Sequence, residues 1–253
     1  MAQRVLITAG AAGIGRAMAR AFSEAGASVW ITDVDAVALA AAPGDWRASE
    51  VDSADATGMA ALFAEIESDW GGLDTLCANA GIAGPTAAIE DMPPEGFRRC
   101  VEVNLDGAFL AAHHAAPMMK RAGRGAMLFT SSTAGLHGFP NRAPYAAAKW
   151  AVIGLMKTVA MELGPFGVRA NAICPGSVEG PRIDGVLERS AAMKGTDAAT
   201  LREAWKKGIS MRSLVRAEDI ANMAVFLASD AARLVSGQVI AVDGHTENPD
   251  PKV

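Results

Sequence analysis

Tyr145 and Lys149, in the segment YAAAK, are the residues whose types and spacing point most directly to chemistry. Four positions apart on a predicted helix, a phenol and an ammonium lie on one face within reach of each other. The positive charge favours phenolate, so the pKa of Tyr145 should fall from its ordinary value of about 10. Such a group can take a proton from an alcohol or return it. Taken alone, the pair also fits ordinary packing of a helix.

Ser132 is the second candidate for this chemistry. It ends the predicted strand AMLFTSS, thirteen residues before Tyr145, where its hydroxyl could meet the same substrate oxygen. Tyr145 is the only tyrosine in the chain, so a phenol at this site has no substitute elsewhere.

The segment ITAGAAGIG connects the first predicted strand to the first predicted helix. Backbone N–H groups at a helix start suit a phosphate, and Gly10, Gly13 and Gly15 permit close backbone approach. Small-residue turns also join strands to helices in many other folds. Ala9 stands where such a loop often has glycine, and because it carries a Cβ we expect a negative φ there.

Asp33 ends the second predicted strand, in VWITDVD. A carboxylate at this place can accept hydrogen bonds from adenosine ribose hydroxyls and repel a 2'-phosphate, which favours NAD over NADP. The alternative is an aspartate that initiates a turn or caps a helix before Val34.

Strands and helices alternate along the chain, which predicts right-handed crossovers and a parallel sheet covered on both faces, a doubly wound α/β fold. The predicted strands are Arg4–Thr8, Ser28–Asp33, Trp46–Val51, Leu73–Ala78, Ala126–Ser131, Val168–Cys174 and Gln238–Val242. The predicted helices are Gly13–Ala25, Ala54–Trp70, Glu95–Arg121, Pro144–Leu163 and Glu218–Ser229.

The segment from about 176 to 216 interrupts this alternation. It begins rich in glycine and proline and continues into a short predicted helix with Thr196 or Asp197 as N-cap. Insertions after a strand's carboxyl end usually line a site, so we expect this one to form part of the pocket.

Composition limits the kinds of partner. The 253 residues are 51% hydrophobic, with a net charge of -5 and no lysine or arginine cluster, so nucleic-acid binding is not expected. Three scattered cysteines lack metal-ligand or disulfide spacing and suit reduced thiols. We find neither a leader-like segment nor an apolar run of membrane-spanning length, and expect a soluble, cytoplasmic protein without membrane contact or metal.

Taken together, these motifs resemble the classical short-chain dehydrogenase/reductase superfamily. The resemblance covers nearly the whole sequence, through TAGAAGIG, CANAG, VNLDGAF, SSTAG, YAAAK, CPG and SGQVIAVDG, in that order. It implies a single Rossmann domain over residues 1–253, a parallel seven-stranded sheet flanked by helices on both faces, and a substrate-binding lid at about 176–216.

The resemblance also implies roles for the candidate residues. Tyr145 corresponds to the general acid/base, Ser132 to the hydroxyl that orients the reacting oxygen, and Lys149 to the ribose ligand that lowers the tyrosine pKa. Asn104, in VNLDG, corresponds to the asparagine that holds a water linking the lysine to a proton relay. The reaction would be reversible hydride transfer between a secondary alcohol and NAD, with oxidation the expected direction.

The residues that the resemblance assigns to the NAD site come from the strand ends and the loops after them. They are Gly10, Gly13, Ile14, Gly15, Asp33, Val34, Asp52, Ser53, Asn79, Ala80, Gly81, Tyr145, Lys149, Pro175, Gly176 and Val178. Helix capping by Asp52 or Ser53 remains an alternative. The sequence departs from the family pattern at Ala78, usually asparagine, and at Gly180, commonly threonine, where loss of a hydroxyl contact could change how the lid closes.

Substrate contacts are expected from the loop after Ser132 and from the insertion, together with Ser132 itself. The candidates are His137, Phe139, Glu179, Arg182 and Trp205, with Met193, Met211 and His245 as further possibilities. Arg182 could pair with a substrate anion or equally with Glu179 or a backbone carbonyl. His137 is more typical of a hydrogen-bonded loop residue than of a second base. The expected substrate is a small polar polyol, a hydroxy acid or a cyclic alcohol, or the matching ketone.

Two rival functions stay open from the sequence. One is an NADPH-dependent 3-oxoacyl-carrier-protein reductase, against which Asp33 argues, and the other is a noncatalytic NAD-sensing or scaffold protein. The resemblance further implies a homodimer or homotetramer, formed through the two long helices and the last helix and strand. Both long helices carry more apolar residues than one buried stripe needs. The polar tail TENPDPKV could cross to a neighbouring subunit.

Overall fold

Seven parallel strands form one sheet in a computed structural model that describes residues 2–247. Their order across the sheet is β3-β2-β1-β4-β5-β6-β7. The strands are β1 (Arg4–Thr8), β2 (Ser28–Asp33), β3 (Arg47–Glu50), β4 (Thr75–Ala78), β5 (Gly125–Thr130), β6 (Val168–Pro175) and β7 (Val239–Val242). Each predicted strand is present, and the doubly wound α/β fold is confirmed.

Helices connect the strands and cover both faces of the sheet. They are α1 (Gly13–Glu24), α2 (Ala36–Ala40), α3 (Ala56–Trp70), α4 (Pro94–Val101), α5 (Gly107–Ala122), α6 (Ala143–Leu163), α7 (Pro181–Lys194), α8 (Ala198–Lys207) and α9 (Ala217–Ala228). The predicted N-cap of α8 is confirmed in Asp197, whose carboxylate accepts from the Thr200 N–H at 2.8 Å.

The two faces of the sheet bury two separate apolar clusters, because successive strand residues point to opposite sides. Leu6 packs with α3, α5 and α6, whereas Ile7 packs with α1, α2 and α9. Both side chains are fully buried. A sheet buried on both sides explains why its strands read as nearly continuous apolar runs.

Two helical predictions need correction. The single helix expected over Glu95–Arg121 is broken by a π-helical turn at Glu102–Asp106, which carries Asn104. Helices α2 and α7 were not predicted, since α2 is one short turn and α7 begins at Pro181 in the Gly/Pro-rich segment. π-helical turns often occur at functional sites, and this turn carries the candidate site residue Asn104.

The chain reverses its direction of winding between β1 and β4, which are hydrogen-bonded neighbours. In such sheets a crevice opens beyond the carboxyl ends of the strands at this point, and ligands bind there. Within residues 2–247, no helix has the length and hydropathy needed to cross a membrane.

Candidate active site

A cavity of about 420 Å³ lies at the carboxyl ends of the strands. It contains many of the residues expected from the sequence, drawn from the glycine loop, from β5 and α6, and from the start of the 176–216 segment. The predicted residues that line it are Gly13, Ile14, Gly15, Asp33, Asn79, Gly81, Ser132, Phe139, Tyr145, Lys149, Pro175, Gly176, Val178, Glu179, Arg182 and Trp205.

Tyr145 is half-buried near the start of α6 and is surrounded by cationic side chains. The Lys149 Nζ atom lies 5.7 Å from its ring centre. Burial alone would raise the pKa of Tyr145, but Lys149, Arg182, a hydrogen bond with Ser132 and Arg142 together lower it. The environment therefore favours the phenolate that a general base requires.

Lys149 is buried, and its ammonium donates to the Thr130 carbonyl oxygen at 2.8 Å. Burial lowers the pKa of Lys149, and Tyr145 opposes that effect. The hydrogen bond fixes the ammonium at the end of β5, while helical spacing places it on the face of α6 that carries Tyr145.

Asn104 lies outside the cavity lining, behind Gly81. Its amide nitrogen donates to the Ile82 and Cys100 carbonyl oxygens at 3.0 and 2.8 Å. Its buried Oδ1 atom has no partner among residues 2–247. A methyl group added at Gly81 would lie 2.5 Å from Asn104 Oδ1 and 3.2 Å from Lys149 Nζ, so this glycine keeps the space between the two groups open.

Ser132 caps the short 3₁₀ turn that follows β5. Its hydroxyl accepts from the Ala134 N–H at 3.1 Å and also interacts with Tyr145. The serine and the tyrosine therefore face the same part of the cavity, although they come from different elements.

The glycine loop corrects one expectation. Ala9 has φ 51°, so the prediction of a negative φ is wrong and this residue adopts the left-handed conformation. The reason is the path of the loop: an added Cβ at Gly15 would lie 2.0 Å from the Ala9 carbonyl oxygen, so α1 packs directly on this peptide. The turn imposes a glycine-like conformation on an alanine, which costs on the order of 1 kcal/mol.

Asp33 lines the cavity and also organises the loops around it. Its carboxylate accepts from the N–H groups of Ala11, Val34 and Asp35 at 3.1, 2.9 and 3.3 Å. These bonds show the turn-forming role that the sequence left open. The carboxylate has acceptor capacity beyond these bonds, so the role does not compete with ribose binding.

Asn79 fastens the loop after β1 to β5. Its amide nitrogen donates to the Thr8 and Ala9 carbonyl oxygens at 3.1 and 3.3 Å, and its oxygen accepts from the Thr130 hydroxyl at 3.1 Å. The Ala80 N–H donates to the Thr8 hydroxyl. These bonds hold the rim of the cavity in place.

Several predicted cofactor residues lie outside the cavity lining. Gly10 packs against Ile31, the exposed Val34 donates to Asp33, and the buried Ser53 packs against Gly107. Asp52 accepts from the Ala54 N–H at 2.9 Å and pairs with Arg99 at 2.5 Å, an interaction that helps to lower its pKa after the backbone bond. Asp52 therefore forms a local turn, and the helix capping by Asp52 or Ser53 that the sequence left as an alternative is wrong, because Asp55 caps α3.

The far end of the cavity is apolar and aromatic. Phe139 and Trp205 meet edge to face with ring centres 6.0 Å apart, and Ile183 and Val186 of α7 line the same region. The buried Trp205 Nε1 has no partner within the described chain.

Arg142 also lines the cavity, although it was not predicted from the sequence. It precedes Tyr145 by three positions, a helical spacing that could have indicated a shared face. The structure does not bring His137 or His245 into the cavity: His137 is exposed, and His245 Nδ1 lies 2.6 Å from the Ser210 hydroxyl. Of the tail, residues 248–253 lie outside the part that the structure describes.

Gly180, the second departure from the family pattern, immediately precedes α7 with φ 132°. Only glycine adopts this region readily. The residue at this position is therefore tied to the path of the backbone, and a threonine here would be strained.

The residues fit a dinucleotide. Ala12 to Gly15 line the cavity, and within residues 2–247 no side chain caps α1. The N–H groups of the first helical turn are thus available to a phosphate. Gly13 has φ 52° and open space where a Cβ would be, so the backbone can approach a ligand closely.

Comparison with known proteins agrees with this geometry. Residues 9–245 match the family model described as enoyl-(acyl carrier protein) reductase. The chain belongs to the short-chain dehydrogenase/reductase superfamily, and it is an NAD-dependent oxidoreductase that acts on secondary alcohols.

Individual relatives are similar over nearly their whole length. Cis-4-hydroxycyclohexanecarboxylate dehydrogenase of Sinomonas cyclohexanicum is 39% identical, over 96% of each chain. Cyclohexanol dehydrogenase of Acinetobacter sp. strain SE19 is 32% identical, over 94% of this chain and 92% of the relative. The crystal structure of NAD+-bound xylitol dehydrogenase superposes with a TM-score of 0.93 at 27% identity, covering 96% of this chain and 98% of that one.

Proposed function

We propose that this enzyme oxidises the secondary hydroxyl of a small ring-bearing alcohol with NAD+, with Tyr145 as the general base. The observation that carries the proposal is a phenol whose pKa is lowered beside an aromatic and apolar chamber. Phe139, Trp205, Ile183 and Val186 present flat or branched apolar surface, which suits a ring better than a polyol chain. Two relatives that are named for cyclohexane alcohols support this choice.

The proposed proton path runs through the residues around Tyr145. The Tyr145 phenolate accepts the hydroxyl proton of the substrate while the Ser132 hydroxyl donates a hydrogen bond to the same oxygen. Lys149 stabilises the phenolate, and because it lines the cavity it would hold the cofactor ribose. NAD+, when bound, supplies the hydride acceptor.

Asn104 is proposed to continue this path. Its unpartnered Oδ1 and the open space beside Gly81 suit a water molecule that connects with Lys149. Cofactor roles are proposed for predicted residues that line the cavity: Gly13 to Gly15 for the pyrophosphate, Asp33 for the adenosine ribose, and the backbone around Pro175 and Val178 for the nicotinamide.

Helices α7 and α8 are proposed to form a lid over the substrate. Their buried residues Val186, Leu187, Ala191, Leu201 and Trp205 form a cluster separate from the two clusters of the sheet, so this unit can shift without disturbing the main core. The edge of the cluster contacts Phe139. Closure of such a unit would exclude water from the reacting groups.

A homodimer or homotetramer is proposed from exposed apolar side chains on the long helices. Phe109 of α5 and Trp150 and Met161 of α6 are 48%, 53% and 81% exposed. Sedimentation analysis tests this proposal. Dimer or tetramer supports it, and a Met161→Glu variant should then shift toward smaller species, whereas a monomer at micromolar concentration contradicts it.

The function is tested by NAD+ reduction over cyclohexanol, 4-hydroxycyclohexanecarboxylate, xylitol and 3-hydroxybutyrate. A ring alcohol should give the highest kcat/KM, and Tyr145→Phe should reduce turnover by at least about 100-fold, as expected on loss of a general base. Phe166→Tyr is the matched control, since it adds a phenol far along the chain from α6's first turn and should leave the rate unchanged. Preference for xylitol, or normal turnover by Tyr145→Phe, would contradict the proposal.

An acyl-thioester reductase is the second candidate, favoured by the description of the matching family model. Asp33 argues against an acyl-thioester reductase that uses NADPH, because its carboxylate would repel the 2'-phosphate of that cofactor. Reduction of an acetoacetyl thioester with NADH and with NADPH distinguishes the two functions. Thioester turnover faster than that of ring alcohols would favour the second candidate.

A further inference from the structure

Two arginines flank the Tyr145 ring in addition to Lys149. The guanidinium carbon of Arg142 lies 4.8 Å from the ring centre, and that of Arg182 lies 5.9 Å away. Arg142 comes from the start of α6 and Arg182 from the start of α7, so two separate elements bring positive charge to the same part of the cavity. Both arginines line the cavity.

Neither arginine forms an ion pair with a carboxylate within residues 2–247, whereas several other arginines in this part of the chain do. Arg4, Arg47 and Arg99 pair with Asp74, Asp69 and Asp52. On α7, Asp184 pairs with Arg202 and is thereby occupied.

After Asp184, Glu179 is the acidic residue nearest to Arg182 along the chain, and it also lines the cavity. No carboxylate oxygen of Glu179 lies within 4.0 Å of a nitrogen atom of Arg142 or Arg182. Glu179 therefore forms no ion pair with either arginine among the described residues. The sequence left open a bond from Arg182 to Glu179 or to a backbone carbonyl, and the described part of the chain shows neither.

Arg142 is the more informative of the two because it is only 6% exposed. One of its amino groups donates to the Ala83 carbonyl oxygen at 3.0 Å, while its buried Nε has no partner within residues 2–247. A buried guanidinium without a counter-charge is costly unless a ligand completes its bonding. Planar guanidinium groups are well suited to carboxylates, which they bind through paired hydrogen bonds.

We propose that Arg142 and Arg182 form a carboxylate-binding subsite, so that the substrate is a ring-bearing hydroxy acid. The inference rests on the proposed function, which places the substrate hydroxyl at Tyr145 and the ring against Phe139 and Trp205. The acid group completes the bonding of Arg142 and neutralises Arg182 on closure of α7. Neutral ring alcohols occupy the same chamber but leave both guanidinium groups without a carboxylate partner.

The kinetic test compares 4-hydroxycyclohexanecarboxylate with its neutral carboxamide, which has nearly the same size. In the wild-type protein, kcat/KM should favour the acid. Arg182→Gln should lower this acid-to-amide ratio roughly 10- to 100-fold, the usual effect of losing a hydrogen bond to a charged group. The ratio cancels any effect of the variant on Tyr145, because that effect is common to both substrates.

Arg189→Gln is the matched control, since it removes the same charge from the same helix but Arg189 does not line the cavity. It should leave the ratio unchanged. A ratio that stays constant in Arg182→Gln, or falls equally in both variants, would overturn the subsite and leave the proposed function standing.

A binding measurement separates this inference from turnover. Calorimetry with cyclohexanecarboxylate and cyclohexanecarboxamide, in the presence of NADH, should show tighter binding of the acid, and both Arg142→Gln and Arg182→Gln should abolish that preference. Arg142→Gln also removes a buried hydrogen bond to Ala83, so the thermal unfolding of this variant is recorded first. If Arg142→Gln does not fold, the result for the exposed Arg182 decides the outcome. Acid binding that depends on Arg182, without oxidation of any ring alcohol, would support the subsite while contradicting the proposed function. Equal binding of acid and amide would overturn the subsite.

Discussion

At the scale of single residues, Tyr145 is defined by the charges around it. Burial opposes ionisation of the phenol, and Lys149, Arg182, Ser132 and Arg142 more than compensate, so the pKa is lowered. A base must be deprotonated to act, so alcohol oxidation should increase as the pH rises through this pKa and level off below about pH 10, the ordinary value.

Lys149→Met removes the largest of the favourable charges. It should move the midpoint of the pH profile of kcat/KM upward and reduce the rate at neutral pH. Ultraviolet titration measures the same pKa directly, because the chain has one tyrosine. A phenol in Lys149→Met that titrates as in the wild type would contradict the assigned role of the lysine.

Ala9 gives a second prediction at this scale. Its φ of 51° suits glycine, so Ala9→Gly should relieve the left-handed strain of about 1–2 kcal/mol. Part of that gain is offset by the larger conformational freedom of glycine in the unfolded chain, about 0.4–1 kcal/mol. We expect a net increase of up to about 1 kcal/mol in the free energy of unfolding, measured by urea denaturation.

Ala12→Gly is the control for Ala9→Gly, because Ala12 has φ -144° and needs no glycine. This control should lower the free energy of unfolding or leave it unchanged. A loss of stability in Ala9→Gly equal to that of the control would show that the positive φ carries no strain.

The sequence predicted the identities of the site residues better than it predicted their backbone angles. Tyr145, Lys149, Ser132 and Asp33 could be found from the sequence because their spacing follows strand ends and helical turns. The φ of Ala9 could not, since it depends on how closely α1 packs on the loop. Arg142 was missed because an arginine at a helix start is ordinary until the structure shows that it is buried.

At the scale of elements, Gly180 controls how α7 begins. Its φ of 132° is unfavourable for any residue with a Cβ, at a cost on the order of 1–3 kcal/mol. Gly180→Ala should therefore displace the start of α7, raise KM for the alcohol, and speed hydrogen exchange in Pro181–Lys194. Gly164→Ala is the matched control, because Gly164 has φ -52° and open space around it.

Unchanged KM and unchanged exchange in Gly180→Ala would show that α7 does not depend on this angle.

The glycine explains why the sequence could not predict α7: a Gly-Pro pair usually marks a loop, yet here Pro181 occupies the first helical position, where its missing N–H costs nothing. The break between α4 and α5 was also hidden, because no glycine or proline within Glu102–Asp106 marks the π-helical turn.

At the scale of the whole molecule, the Arg4–Asp74 pair joins β1 to the approach to β4, at the centre of the sheet. The Arg4 side chain donates to Asp74 at 2.8 and 3.1 Å, and the Arg4 N–H donates to it at 3.0 Å. Burial would raise the pKa of Asp74, but these bonds and the charges of Arg4 and Arg124 lower it.

This lowered pKa determines the sign of the acid response. The stabilisation is present above the unfolded-state pKa of about 3.9 and is lost as the pH falls through the lower folded-state value. Asp74→Asn should therefore be less stable than the wild type by about 1–3 kcal/mol at pH 7. The difference between the two proteins should decrease below about pH 4, as measured by urea denaturation across pH.

Asp69→Asn is the control at the exposed Arg47–Asp69 pair, whose side chains are 59% and 38% accessible. Surface pairs contribute at most about 1 kcal/mol, so this variant should be nearly neutral. An equal effect of both variants would show that the central pair is no more important than a surface one.

The parallel sheet could be predicted for the whole molecule because β1, β4, β5 and β6 are buried on both faces and read as apolar runs between helices. The substrate class could not be predicted in the same way. It depends on side chains from the β5–α6 loop, α6, α7 and α8 that lie far apart in sequence and meet only after folding.

The two arginines beside Tyr145 have a consequence for product release. Oxidation changes the carbinol carbon, whereas a carboxylate held by Arg142 and Arg182 is the same group in the alcohol and in the ketone. Binding energy of this uniform kind lowers KM without accelerating the chemical step. The keto acid should therefore be a strong competitive inhibitor, and the accumulation of product, more than the supply of alcohol, should limit sustained turnover.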